Sequence, residues 1–296
     1  MPSNLGLVCI THSDDVRYRT VTRKRLLLHG EAQQRDLLRE LYHANLGRLS
    51  RALDFCQAER IALYRLPSGI FPFFDEDVGR AVMTGLEDEA GRLGVRAAEC
   101  AIRLVMHPDQ FVVLSSDSDA VVANSIKILR MHGDIMDLLR QPRSPWALLE
   151  IHGGKAGRAE RLIAAIRALP APIRLRLALE NDEYAYGAEE IWRICMAAGV
   201  PMVFDAHHHV IYEGLDSYDH PSVAAMLAKA AMTWADPAQQ LVHISNGREA
   251  FGDRSHADLI TAMPACYGRA PWIEIEAKHK EQAIRLLRRG NGAAGA

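Results

Sequence analysis

Short apolar runs alternate along the chain with longer amphipathic stretches. The apolar runs cover residues 5–10, 61–66, 101–107, 146–152, 175–181, 201–208, 240–245 and 272–278. Helical spacing of apolar positions is found near 31–58, 77–95, 119–139, 158–169, 187–198, 219–235, 255–263 and 279–289. Eight strands alternating with eight helices predict an α/β fold of the closed parallel (β/α)8 type, a TIM barrel. A doubly wound open sheet is the alternative, although no glycine-rich dinucleotide fingerprint follows the first run.

No linker interrupts this alternation, so a single domain is predicted over residues 1–289, followed by a disordered Gly- and Ala-rich tail at 290–296. No apolar run reaches the length that spans a membrane, and residues 1–4 do not resemble a signal peptide. The five cysteines are scattered without a CxxC pair, which predicts reduced thiols and a cytoplasmic protein. The net charge of −2 excludes a broadly basic surface, so a nucleic-acid partner requires local basic patches.

Polar side chains close six consecutive apolar runs. In a (β/α)8 barrel the functional groups lie at the carboxyl ends of the strands, where these side chains would share one rim. The densest stretch is 203–209, in which an acid and three histidines follow an apolar strand, and a chance polar loop is the alternative there. The predicted metal ligands are His107, His152, Glu180, Asp205, His208, His243, His256 in the loop beyond the seventh run, and Glu276.

Eight ligands exceed the roughly four to six that one ion takes, and they suit two or three divalent ions that share a carboxylate bridge. Mixed imidazole and carboxylate ligands fit Zn²⁺, Mn²⁺ or Fe²⁺. Ions a few ångströms apart activate water and stabilise the oxygens of a phosphoryl transfer. The residues therefore predict a multi-metal phosphodiesterase, and a metal-dependent sugar isomerase on the same fold is the alternative.

The order and spacing of short motifs carry a family resemblance. The motifs are Leu-Gly-Leu-Val-Cys at 5–9, Tyr-Arg-Leu-Pro-Ser at 64–68, His-Pro-Asp-Gln-Phe at 107–111, Glu-Ile-His-Gly-Gly at 150–154, Leu-Glu-Asn-Asp at 179–182, Phe-Asp-Ala-His-His at 204–208, His-Ile-Ser at 243–245, Ser-His-Ala-Asp at 255–258 and Glu-Ala-Lys at 276–278. With these motifs the chain resembles the UV damage endonuclease (UvdE) family from residue 5 to about 282 and, more distantly, endonuclease IV.

The resemblance implies an ATP-independent repair endonuclease that nicks damaged double-stranded DNA on the 5′ side of cyclobutane dimers, 6-4 photoproducts and abasic sites. It implies that the eight ligands above bind two or three ions, with Mn²⁺ expected, Zn²⁺ or Fe²⁺ as alternatives, and Glu180 as the bridge. The implied catalytic residues are Glu180, His243, Glu276 and Lys278. Gln110 and Phe111 match a pair that enters the duplex at the lesion, and the alternative for Phe111 is core packing. No obligate protein partner is indicated.

Basic residues that follow the predicted strands would lie on the rim where phosphates run. Arg17 and Arg19 follow the first run, Lys155 follows the fourth, and Lys278 follows the eighth. All four are predicted DNA contacts, with solvated surface charges as the alternative, and Lys278 is the strongest because it lies two residues beyond Glu276.

Three positions depart from the family pattern. Leu241 stands where the family carries a lysine, and Leu7 stands where it carries a tyrosine that probes the lesion. Residues 66–80 contain no histidine, so Asp75, Glu76 or Asp77 is the expected substitute for a missing ligand. These departures keep open a metal-dependent isomerase-like or oxidase-like enzyme that acts on a substrate other than DNA.

Overall fold

Eight parallel strands close into a barrel in the computed structural model, which describes residues 4–108 and 111–292. Each strand pairs with the next along the chain, and the eighth pairs with the first. This topology confirms the predicted (β/α)8 barrel and excludes the open sheet. The strands are β1 (Asn4–Val8), β2 (Leu63–Leu66), β3 (Arg103–Met106), β4 (Leu149–His152), β5 (Leu177–Glu180), β6 (Met202–Asp205), β7 (Leu241–Ile244) and β8 (Trp272–Ile275).

Helices follow most strands and cover the outside of the barrel. They are α1 (Arg23–Leu26), α2 (Glu31–Ala58), α3 (Asp77–Met83), α4 (Glu87–Glu99), α5 (Asp119–Leu138), α6 (Ala159–Ala168), α7 (Ala171–Arg174), α8 (Ala188–Ala198), α9 (Ala206–Tyr212), α10 (Pro221–Ala231) and α11 (Lys280–Gly292). The predicted tail at 290–296 therefore begins inside α11, and residues 293–296 lie outside the described residues. Within the described part of the chain, no helix is both long and apolar enough to cross a membrane.

The predicted helix at 255–263 is wrong. This segment is a loop, and only a short 3-10 helix (Ala265–Arg269) forms between β7 and β8. The Asn246 side chain holds the loop, because its Oδ1 accepts from the backbone N–H groups of Thr261 and Ala262 while its Nδ2 donates to the carbonyl of Ala262. Side-chain hydrogen bonds to the backbone compete with helical ones, and here they replace a weak helical pattern.

Two other predicted boundaries also differ. The helix predicted at 77–95 is divided into α3 and α4 by the turn at 84–86. The sixth strand ends at Asp205 instead of residue 208, because Asp205 caps helix α9: its Oδ1 accepts the N–H of His208 at 2.8 Å. A carboxylate in this position both satisfies a free N–H group and favours the positive end of the helix dipole.

Alternate positions of the strands form an inner apolar layer and an outer core. The inner layer includes Leu63, Val105, Ala178, Val203 and Leu241, whereas the intervening residues of the strands pack in the main core under the helices. Arg103 closes the amino-terminal end of the barrel. Its guanidinium lies 5.1–5.9 Å from the ring centres of three tryptophans and donates to three backbone carbonyls. A cavity is therefore expected only at the other end.

Candidate metal centre at the barrel mouth

The carboxyl ends of the strands bring the predicted ligands together. Strand register places Glu180 beside His152 on β4, and it places Asp205 beside His243 on β7. The Glu180 carboxylate is the centre of the arrangement. It lies 3.2 Å from His107 and 3.5 Å from His152 through Oε2, and 3.4 Å from His208 and 3.1 Å from His243 through Oε1.

Shared carboxylates link three groups of possible ligands. In each group the ligand atoms lie within 4.8 Å of one another: His107 with His152 and Glu180, Glu180 with Asp205 and His208, and Asp205 with His243 and Glu276. Glu180 joins the first two groups and Asp205 joins the last two. The sequence predicted a bridging role for Glu180, but the equivalent position of Asp205 is seen only in the structure.

The electrostatics of these groups suit divalent cations. Burial alone would raise the pKa of Glu180, but His152 and His243 outweigh it and hold that pKa well below its usual range. Burial likewise disfavours charge on His208, yet Asp205 and Glu180 raise its pKa to about 9. Asp205 Oδ2 and His152 Nδ1 are buried without a hydrogen-bond partner among the described residues. Buried polar atoms normally have partners, so unpaired ones beside three clustered groups fit bound ions.

Five members of the ligand groups line a cavity of about 430 Å³ at the barrel mouth: His107, His152, Glu180, His208 and Glu276. Glu183 and Tyr184, which follow β5, form part of its wall. Neighbouring cavities of similar size share residues with it: one of about 480 Å³ reaches Phe111, and one of about 490 Å³ reaches Lys278 and Lys280. The mouth is therefore a broad depression with the ligand groups at its centre.

His256 and Lys278 lie on the rim of this depression. His256 is outside the three groups, and its Nδ1 is 3.9 Å from Glu276 Oε2. Its loop is anchored by a β-bridge between Gly247 and His256. Lys278 lines the same cavity as Glu276 and His256.

The other predicted DNA contacts lie in different surroundings. Phe111 is 70% exposed and lines a mouth cavity, so the alternative of core packing is wrong for it, whereas Val112 beside it is buried. Arg17 forms an exposed ion pair with Asp14, Lys155 pairs with Asp117, and Arg19 is exposed. Gln110 lies outside the described residues.

The three departures from the family pattern have structural explanations. Leu7 is buried in the main core, and Leu241 belongs to the inner apolar layer beneath the ligands. Among the suggested substitute ligands, Asp75 pairs with Lys127 and Glu76 pairs with Arg23, while Asp77 begins helix α3. None of these three acids is in a ligand group of the described residues.

The sequence interpretation missed a buried polar layer directly below the ligands. It consists of Arg65, Glu150 and Glu274, each at most 7% exposed, and all three contact the lower side of His243. Burial raises the pKa of Glu150 to about 7 although His243 lies close to it. A signal was present in the sequence, since Glu150 and Glu274 lie two residues before His152 and Glu276. Side chains two apart on a strand point to the same face.

Comparison with known proteins places the chain in a family. The model of the family described as "UV-endonuclease UvdE" matches residues 3–292. The UV DNA damage endonuclease of Nostoc sp. is 55% identical over 286 residues, which cover 96% of this chain and 89% of that protein. The one from Deinococcus radiodurans is 46% identical over 287 residues, with 96% and 94% covered.

Among solved structures, that of SacUVDE has the same fold, with a TM-score of 0.78 at 24% identity over 97% of this chain and 99% of that one. The family match extends over nearly the whole chain, and the sequence identity to curated relatives is high. The chain belongs to the UV-endonuclease UvdE family.

Proposed function

We propose that this protein is a metal-dependent DNA repair endonuclease. It nicks DNA on the 5′ side of UV photoproducts, both cyclobutane dimers and 6-4 photoproducts, and abasic sites are its wider substrate. One observation carries the proposal: three ligand groups are linked through Glu180 and Asp205 at an open cavity that Glu180 itself lines. Membership of the UvdE family supports a DNA substrate over a sugar or another metabolite.

The proposed cofactor is a set of two or three divalent ions, with Mn²⁺ expected and Zn²⁺ or Fe²⁺ as alternatives. When bound, such ions activate water and stabilise the attacking and leaving oxygens of phosphodiester hydrolysis. Glu180 and Asp205 would each serve two ions. The ligands would be His107, His152, Glu180, Asp205, His208, His243 and Glu276, with His256, which lies 3.9 Å from Glu276, as the eighth.

Lys278 and Lys280 supply positive charge beside the ligands. Both line the cavity that also contains His256 and Glu276, and neither has an ion-pair partner among the described residues. An ammonium group that is not neutralised attracts a phosphate from the backbone and holds it next to the reacting bond. We assign Glu180, His243 and Glu276 to the catalytic site because they belong to the ligand groups, and Lys278 because it lines the cavity beside Glu276.

Two exposed aromatic rings border the cavities and suit lesion recognition. Phe111 follows β3, and Tyr184 follows β5 and is 63% exposed. Asp182 holds the Tyr184 loop by accepting three backbone N–H groups, and the Arg254 guanidinium stacks 3.8 Å from the Tyr184 ring centre. A damaged base pair is easily unstacked, and exposed rings can replace the lost stacking. Phe111 is therefore the proposed wedge, with Gln110 beside it in sequence.

Arg17, Arg19 and Lys155 are proposed contacts to phosphates farther from the cut. Asp117 already pairs with both Lys155 and Arg158, and Arg17 already pairs with Asp14. Exchange of a solvent-exposed ion pair for a phosphate contact changes the energy little. These residues should therefore contribute less to binding than Lys278 does.

The direct test is cleavage of a 5′-labelled duplex that carries one cyclobutane dimer, with Mn²⁺ supplied. We expect one cut immediately 5′ of the dimer, none in the undamaged duplex, and loss of the cut after removal of metal with EDTA. Restoration by Mn²⁺ would exclude irreversible damage by the chelator. An abasic duplex tests the wider substrate range.

Two other results of the cleavage assay would contradict the proposed function, each in a different way. If the protein binds metal by elemental analysis but cuts neither dimer nor abasic duplex, the DNA substrate is wrong and a small-molecule substrate in the same cavity replaces it. If it cuts undamaged DNA equally well, the nuclease is correct but the lesion specificity is wrong.

Replacement of Phe111 by Ala should reduce discrimination between damaged and intact duplex. Stacking of an aromatic ring on a base contributes about 1–3 kcal/mol, which corresponds to a loss of roughly 5- to 150-fold. The measurement is the ratio of dissociation constants for the two duplexes at a fixed salt concentration. Phe111→Leu is the matched control because it keeps apolar bulk without an aromatic ring. If Phe111→Ala distinguishes damaged from intact duplex as well as the wild type does, Phe111 has no role in lesion recognition.

A further inference from the structure

The buried polar layer beneath the ligand groups orients His243. The two ring nitrogens of this histidine face different layers of the barrel. Nδ1 points up to the mouth, 3.1 Å from Glu180 Oε1 and 3.5 Å from Glu276 Oε1. Nε2 points down, 2.7 Å from Glu274 Oε2 and 3.2 Å from Glu150 Oε2.

We propose that Glu274, held in place by Arg65, fixes His243 with its proton on Nε2 and its Nδ1 lone pair facing the metal centre. Glu274 and Arg65 are then positioning residues for the group of Asp205, His243 and Glu276. The inference rests on the proposed metal centre and is independent of which substrate the protein cleaves. Histidines that bind metals usually donate their second ring N–H to a carboxylate, which sets the tautomer.

The short distance between His243 Nε2 and Glu274 decides between the two tautomers. With the proton on Nε2, the 2.7 Å approach to Oε2 is a hydrogen bond to a carboxylate. With the proton on Nδ1 alone, two acceptor atoms would meet at 2.7 Å, which is a closer and less favourable contact than the 3.1 Å between Nδ1 and Glu180 Oε1. Arg65 Nη2 lies 3.0 Å from Nε2 and also donates to the Oε2 atom of Glu274.

Arg65 fixes the carboxylates on both sides of this interaction. Its Nε donates to Glu274 Oε2 at 2.8 Å, and its Nη1 lies 2.7 Å from Glu276 Oε1. One planar guanidinium thus ties the residue below His243 to a ligand above it. Burial of a charged group is costly unless the charge is paired. An arginine that is bonded to two carboxylates meets this condition.

The barrel backbone makes room for Glu274. In the strand register, Glu274 lies between His243 on β7 and Gly6 on β1. A Cβ atom at Gly6 would lie 3.2 Å from Glu274 Cγ and 2.6 Å from Leu63 Cδ2. The missing side chain of Gly6 therefore leaves the space in which the Glu274 side chain crosses the barrel to Arg65.

Glu150, His243 and Glu274 also satisfy the spacing of a separate metal site. The guanidinium of Arg65 already supplies the positive charge there, since it is bonded to Glu274 and lies against His243. An ion in the same place would have to displace it. We therefore assign the cluster to the support of His243 and not to an additional ion.

The first test reads the tautomer directly in the wild-type chain. The protein is labelled with ¹⁵N-histidine and loaded with Zn²⁺, which is diamagnetic, and the His243 signals are assigned with His243→Asn. Long-range ¹H–¹⁵N correlation should show the ring proton on Nε2. A proton on Nδ1 would overturn the inference. The measurement requires no DNA, so it is decided separately from the proposed nuclease activity.

The second test compares Glu274→Gln with Glu281→Gln. Glu281 is an equally buried carboxylate, but it accepts from the backbone N–H groups of His12 and Ser13 and belongs to none of the ligand groups of the described residues. Calorimetric titration with Mn²⁺ should show that Glu274→Gln loses one ion or binds it about 10- to 100-fold more weakly. Mutation of the residues that hydrogen-bond to metal ligands usually weakens metal affinity by this factor. Glu281→Gln should keep the wild-type number and affinity of ions.

Equal Mn²⁺ binding by the two variants would overturn the positioning role of Glu274. If Glu274→Gln does not fold, Glu274→Asp replaces it, since this variant keeps the charge but withdraws the carboxylate from Nε2 and should weaken one ion in the same way. If wild-type protein binds neither Mn²⁺ nor Zn²⁺, the metal centre fails and this inference fails with it.

Discussion

The Glu180→Gln variant is expected to nick DNA at least about 100-fold more slowly than the wild type. Mutation of residues that only hydrogen-bond to metal ligands already lowers activity by roughly 10- to 100-fold. Glu180 joins two ligand groups and lies within 3.5 Å of His107, His152, His208 and His243. A glutamine keeps the shape of the side chain but has no negative charge and only one acceptor oxygen. The measurement is single-turnover cleavage of the dimer duplex, together with the number of Mn²⁺ ions bound.

Glu183→Gln is the comparison that makes this result specific. Glu183 lines the same cavity and lies 3.6 Å from His208 Nε2, yet it belongs to none of the ligand groups of the described residues. Its neutralisation should cost no more than about 5-fold, as for a partly solvated charge. If both variants lose activity equally, the general negative potential of the cavity matters and not the bridging position of Glu180.

Arg103→Met is expected to lower the free energy of unfolding by at least about 3 kcal/mol. The guanidinium is fully buried and donates to the backbone carbonyls of Pro145, Trp146 and Gln239 at 2.7–2.9 Å. Methionine fills much of the volume but leaves three carbonyls unpaired, and each buried unpaired group costs about 1–3 kcal/mol. The lost cation–π contacts with the tryptophans add to this loss. Urea unfolding followed by tryptophan fluorescence measures the change.

Arg39→Met provides the control for the Arg103 result. Arg39 is an exposed residue of helix α2 whose only described ion pair is with Asp36, so its removal should change stability by about 0.5 kcal/mol or less. Both variants should keep the wild-type number of Mn²⁺ ions, because Arg103 lies at the end of the barrel opposite the ligands. Wild-type stability of Arg103→Met would show that water enters and satisfies the three carbonyls.

The sequence was sufficient to predict the barrel because each strand is a mainly apolar run and six consecutive runs close with a polar residue. Parallel strands that are buried on both faces appear in the sequence as nearly continuous hydrophobic runs, and all eight strands were predicted. The loop at 255–263 was predicted as a helix because its apolar spacing is helical, whereas the side chain of Asn246 decides its conformation from a distant part of the chain. Contacts of that kind leave no local pattern.

The candidate site was predictable in part for a related reason. Residues at strand ends, such as Glu180 and Asp205, stand out as polar positions after apolar ones. Arg65, Glu150 and Glu274 lie within the strands, where a single polar residue among apolar ones does not reveal what it faces. Their association depends on register across three parts of the barrel, between β2, β4 and β8. Spacing within one strand shows the face of the sheet to which their side chains point, but not the residues on other strands that they contact.

Asp205 connects the metal centre to the folding of the chain around it. Its Oδ1 accepts the N–H of His208 and thereby starts helix α9, while its Oδ2 is buried without a hydrogen-bond partner among the described residues. An ion that binds this carboxylate would favour the ordered form of the first turn of α9, and that turn carries His208, a proposed ligand of the same centre. Filling of the site and ordering of this turn are thus one linked equilibrium, so the supply of metal would set how firmly one wall of the mouth is formed.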